Sequence, residues 1–268
     1  MTSRAVSLPM YLANKEAVSA LWVMLRQRLE RAGLLHLAQE LTWPQDYHAH
    51  WRETDLLLSQ SCGYPFTDDL AGKVQLVGCF AYAAPQCDGI QCASVLVARQ
   101  EHAPLRAEEF RGMRAAFNAP NSQSGFNAFR AWAAPLAIGG RFFSSAMETG
   151  SHSASVLAVR TGRADLASID CVTFAELCRY TPQATEGLAI VGTTPTYPGL
   201  PLITSNATSA ADIAILRTAI RDLLASEEAG PTLQALAIVG FETPDPAIYQ
   251  RCVEMCHFAE ALGYSTLA

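Results

Sequence analysis

The sequence predicts an α/β fold with mostly parallel sheets, and three observations carry that expectation. Short buried-strand patterns alternate with amphipathic helical ones along the chain. Half of the residues are hydrophobic and only 16% are charged, which supplies a core and argues against disorder. A length of 268 residues suits two lobes of roughly 100–150 residues each better than one compact unit.

The elements follow in order. "VSLPMYL" (6–12) reads as a first strand with its loop attached. Val18, Leu21, Trp22, Leu25 and Leu29 share one helix face, and Gly33 stops that helix. Asp55 to Ser59 is a short buried strand opening into a glycine-proline loop. "VQLVGCFAY" (74–82) and "SVLVAR" (94–99) are further buried strands, "LRAEEFRG" a short helix and "MRAAFN" a strand. "NSQSG" (121–125) turns into a helix marked by Phe126, Phe129 and Ala133 and ended by Pro135. The unit repeats: "FFSSAME" is a strand, "TGSH" a turn, and "SASVLAVRTG" a helix closed by Gly162. "ADLASID" is a strand, and Thr173 with Glu176 forms a capping box for "TFAELCRY". "GLAIVGTTP" is a strand leading into a proline-rich crossing, "TPTYPGLPLIT". Two amphipathic helices finish the chain, one on Ile213, Leu216, Ile220 and Leu223, the other on Ile248, Cys252, Cys256 and Ala259.

Composition excludes several classes. The net charge is −6 with no basic cluster, which argues against nucleic-acid or anionic-membrane partners. No apolar run approaches the roughly 20 residues needed to cross a bilayer. The N-terminus lacks the apolar core and cleavage site of a secretory signal, so the expected location is the cytoplasm, or the periplasm if the natural N-terminus was trimmed. The eight cysteines include no CxxC pair and sit among apolar neighbours, as buried thiols do. "HAH" (48–50) has no acidic or cysteine partner at ligand spacing. No metal and no cofactor are expected.

Two helix mouths are unusually rich in short polar side chains: Ser122, Gln123, Ser124 and Gly125, then Ser151 and His152. In parallel α/β sheets ligands collect where strand ends run into helix N-termini. The first helical turn leaves backbone N–H groups without intrahelical partners and carries partial positive charge. Serine adds donors there, and Gly125 lets the backbone approach, so each mouth is a ready anion site without lysine. A hydrogen bond to a charged group contributes about 1.5–3 kcal/mol, and micromolar affinity needs about 8 kcal/mol. Four or five such bonds suffice. Serine before a helix also serves simply as an N-cap, and Asp170, at the end of an apolar strand, could cap the following turn.

Those residues bring a resemblance into view. The stretches "LPMYL", "DLLLSQSCGYP", "RAAFNAPNSQSGFNAFR", "GRFFSSAMETGSHSASVLAVRTGRADLASIDCVTF" and "PGLPLIT" resemble the substrate-binding proteins of phosphonate and phosphate ABC transporters. The chain is most similar to a branch that often lacks an export signal. The resemblance implies the two-lobed type II periplasmic-binding-protein fold, with lobe one at 1–94 plus 195–268 and lobe two at 95–194. It implies two hinge crossings, near Val95–Arg99 and Gly192–Pro195, and a small oxyanion in the cleft. Ser122, Gln123, Ser124 and Gly125 match the phosphonate-cradling helix start, and His152 the anion-contacting histidine. Tyr11, Ser59, Gln60, Ser61, Tyr64 and Tyr82 would face them from the other lobe. Gln123 stands where exported members more often carry threonine, and Asp170 is a candidate acceptor for a ligand amine. The implied function is binding a phosphonate, phosphate or phosphate ester, either for an ABC permease or as a cytoplasmic sensor. The alternative is an enzyme with Cys62 as nucleophile and His152 as base; no nucleophile or phosphate-loop motif accompanies it. A regulator's effector module would need a DNA-binding helix-turn-helix, for which there is no room before residue 6.

Overall fold

A computed structural model describes residues 3–268. The chain forms two compact units. The first takes the chain as far as Ala83, with Asp88–Ile90 and Gly199–Ile248; the second takes Ala84–Cys87, Gln91–Pro198 and Tyr249–Ala268. These units differ from the expected lobes mainly in the last segment, which the second unit holds.

In the first unit the strands run, in spatial order, Ala5–Val6, Leu56–Gln60, Pro201–Ser205, Val74–Tyr82 and Ile238–Glu242. Only the Ala5–Val6 pairing is parallel; the other three are antiparallel. Pro201–Ser205 was expected within an irregular crossing, and it is instead the middle strand. Pro201 sits first, where a missing N–H is tolerated, and Leu202, Ile203 and Thr204 are buried behind it. The helix Lys15–Arg31 buries the expected face of Val18, Leu21, Trp22, Leu25 and Leu29, and Asn14 caps it by accepting from Ala17 N at 3.1 Å. The helix Ala210–Leu224 buries Ile213, Leu216, Ile220 and Leu223.

In the second unit the order is Leu188–Thr193, Val95–Arg99, Leu166–Ile169, Arg114–Phe117 and Ser145–Glu148. The last three strands are parallel, and Val95–Arg99 runs antiparallel to both of its neighbours, Leu166–Ile169 and Leu188–Thr193. The sheets are therefore mixed rather than mostly parallel, because strands that return from a crossing run against the βα units. Asp165 ties this sheet's edge together by accepting from Arg114 N at 3.0 Å, Arg114 Nη2 at 2.8 Å and Arg99 Nη2 at 3.2 Å. Arg114, then Arg99, holds its carboxyl down at about 2. The helix Gln250–Ala261 packs on the helix Ala128–Ala133. Phe129, Phe142, Phe143, Tyr264 and Leu267 close the core of this unit.

The helix Cys171–Tyr180 begins two residues before Thr173, so the expected Thr173–Glu176 capping box does not form. Asp170 is the N-cap and accepts from Thr173 N at 2.9 Å. No helix among the described residues is long and apolar enough to cross a membrane.

Candidate functional site

The second unit brings five of the expected residues, Ser122, Gln123, Ser124, Gly125 and His152, to one helix start. Ser122 caps it, accepting from Gly125 N at 3.1 Å. The first turn, Gln123–Asn127, is π-helical: Asn127 N bonds Ser122 O at 3.0 Å, and Ala128 N bonds Gln123 O, each spanning one residue more than an α-turn. The width is held from outside. Ser94 Oγ and Ser168 Oγ, both fully buried, donate to the Ser124 carbonyl at 3.0 and 2.7 Å. Ser94 is itself fixed by Tyr197 OH at 2.6 Å and by a backbone bond to Thr194 Oγ1 at 3.0 Å. Ser124 is thus positioned by its main chain while its hydroxyl is turned elsewhere.

That hydroxyl lies 2.9 Å from His152 Nε2 and 3.5 Å from Ser122 Oγ. Burial pushes the His152 pKa down to about 4, so the ring is neutral at physiological pH. Its Nδ1 is covered from solvent and has no hydrogen-bond partner among the described residues. A bare lone pair is cheaper to bury than a bare N–H, which places the proton on Nε2. Nε2 then donates to Ser124 Oγ and leaves the Ser124 O–H as a donor. Gly125 keeps the space open: a Cβ there would run into Asn118 Oδ1 and stand 3.1 Å from His152 Cε1.

Other expected residues occupy different roles. Gln123 is buried and its Nε2 donates to Met255 Sδ at 3.0 Å, so its carboxamide points into the unit's interior. Ser151 is exposed and caps the helix His152–Arg160 through Ala154 N at 3.1 Å. Asp170 is buried and capping, as above. Sequence reasoning missed Ser94, Asn118 and Arg130, single polar residues inside apolar stretches with no local pattern to mark them. Arg130 is 2% exposed. It donates to Asn127 Oδ1 and Ser265 O, both at 2.8 Å, and lies over the Phe126 ring at 4.8 Å.

In the first unit, Tyr11, Gln60 and Tyr82 come together. Gln60 Nε2 donates to Tyr82 OH at 3.1 Å, and the Tyr11 and Tyr82 rings meet edge to face at 5.1 Å. Ser59 lies deeper, its Oγ 2.8 Å from Ser7 Oγ, which in turn meets His50 Nε2 at 2.6 Å. Ser61 is also buried, with its N–H donating to Pro201 O at 3.0 Å. Tyr64 is half-buried on the short helix Gly63–Thr67, which the buried Cys62 precedes.

Comparison with known proteins assigns the chain to a family. The family model of periplasmic substrate-binding proteins of phosphonate ABC transporters matches residues 13–249. No curated protein matches the sequence. Among solved structures, the chain is similar to PhnD1 from Prochlorococcus marinus in complex with methylphosphonate, with a TM-score of 0.75 at 14% identity, over 95% of this chain and 97% of that one. It is similar to the binding-protein component of a phosphonate ABC transporter from Pseudomonas aeruginosa, with a TM-score of 0.75 at 17% identity, over 97% and 88%. A Xanthomonas citri protein bound to ATP matches with a TM-score of 0.72 at 16% identity, over 97% and 98%. These likenesses give the two-lobed periplasmic-binding-protein fold. The family's members bind solutes and are not enzymes, so the Cys62–His152 catalytic alternative falls away. The chain belongs to the family of substrate-binding proteins of phosphonate ABC transporters.

Proposed function

We propose that the protein binds a small phosphorus oxyanion, a phosphonate, phosphate or phosphate ester, and delivers it to an ABC permease. The observation that carries this reading is the Ser124 hydroxyl, bonded to a neutral His152 at 2.9 Å on a wide helix start whose first N–H groups lack α-helical acceptors. Such donors hold an anion without a side-chain cation. Neutral donors also suit a ligand that brings its own charge, since no buried cation needs compensation when the site is empty. Tyr11, Gln60 and Tyr82, gathered in the first unit, contribute aromatic and amide contacts to the ligand. Methylphosphonate in PhnD1 and ATP in the Xanthomonas citri protein make both small phosphonates and phosphate esters the compounds to try. Calorimetry with methylphosphonate, phosphate and sulfate tests the reading. Ser124→Ala is expected to weaken the tightest of the phosphorus ligands by about 1–3 kcal/mol. Unchanged affinity, or tighter binding of sulfate, would overturn it.

A further inference from the structure

Three cysteines outside the oxyanion site converge within the second unit. Cys87 and Cys92 sit on adjacent short strands, Cys87–Asp88 and Gln91–Cys92. Cys171 comes from elsewhere in the chain, as the first residue of the helix Cys171–Tyr180. The Cys87 sulfur is 3.2 Å from that of Cys92 and 3.5 Å from that of Cys171, and all three lie within 4.8 Å of one another. Cys92 and Cys171 are buried and Cys87 is half-buried.

We propose that Cys87, Cys92 and Cys171 form a trithiolate site for a soft, thiophilic d10 cation, copper(I) or zinc.

The spacing fits. A metal–sulfur bond of about 2.3 Å puts three ligand sulfurs about 3.8–4.0 Å apart in tetrahedral or trigonal geometry; the separations from Cys87, 3.2 and 3.5 Å, fall a few tenths of an ångström short of that and open to it with small side-chain shifts. Soft thiolates select copper(I) and zinc over oxygen-seeking cations. A bound cation displaces the thiol protons. Packing alone would explain one or two buried thiols. A Cys87–Cys92 disulfide would require contraction to about 2.05 Å and would give Cys171 no part.

The test uses the reduced, metal-free full chain, titrated anaerobically with zinc or with copper(I) from a competing chelator. The expected result is one ion per chain, retained through desalting, with thiolate-to-metal charge transfer for copper(I) or for cobalt(II) standing in for zinc. Binding should be lost in Cys87→Ser, Cys92→Ser and Cys171→Ser and kept in Cys178→Ser, whose thiol is exposed. Should a serine variant fail to fold, alkylation of the wild-type chain decides: metal should shield the half-buried Cys87 and leave the exposed Cys178 reactive. No stoichiometric uptake of either ion by the folded, reduced protein would overturn the proposal. So would uptake that survives Cys171→Ser, or alkylation of Cys87 that metal leaves unchanged.

Discussion

At the scale of single residues, Gly125 and His152 have requirements of opposite kinds. Gly125 is needed for space rather than for an unusual backbone angle, since Asn118 fills the volume a Cβ would take. Gly125→Ala must move the Asn118 carboxamide or the turn itself. It should lower the melting temperature and abolish oxyanion binding together, as thermal shift with and without methylphosphonate will show. His152 is constrained by its charge state. The folded chain keeps the ring neutral down to about pH 4, whereas an unfolded chain protonates it near the ordinary value of about 6.5. Between those values the unfolded state binds more protons, so stability falls as the solution is acidified through that window, by up to about 3 kcal/mol. His152→Gln should remove this part of the acid sensitivity in urea melts taken between pH 7 and 4. The separate loss from Asp165, whose carboxyl is held near 2, begins only below about pH 4.

At the scale of elements, the wide turn Gln123–Asn127 and the helix behind it depend on groups distant in sequence. Arg130 sits under that turn and links Asn127 to the carbonyl of Ser265. Arg130→Met removes a buried charge together with its bonds and leaves neutral carbonyl and amide groups unsatisfied. A loss of about 1–3 kcal/mol is expected in chemical denaturation from the polar groups left unpaired, larger than for an exposed arginine. The sequence made the helix mouth legible because serine, asparagine and glycine before an apolar run have a local meaning. It could not reveal the extra residue in the turn, because the hydroxyls that draw the Ser124 carbonyl aside belong to Ser94 and Ser168, on two other strands. Gln123 was read as a ligand group for the same reason: nothing near it in sequence announces Met255. The strand Pro201–Ser205 was hidden by its prolines, whose turn-forming habit outweighed three buried residues in a local reading.

At the scale of the whole molecule, an acidic chain is assigned an anionic guest. With a net charge of −6, long-range attraction cannot supply the affinity, and short hydrogen bonds from neutral donors must. Affinity for methylphosphonate should therefore change little between low and high sodium chloride, since screening acts on separated charges and not on buried contacts. A steep salt dependence in calorimetry would point to exposed cations instead. The alternation of strands and helices was enough to read the α/β class, whereas strand direction was not, since it depends on which crossing each strand returns from. The unit that bears the helix mouths draws on three separate stretches of chain. Arg130 meets the Ser265 carbonyl 135 positions further on. On the ribosome, that guanidinium must wait until the Tyr249–Ala268 stretch has emerged, so a nascent chain reaches competence for its guest only after the neighbouring unit's last stretch has already been made.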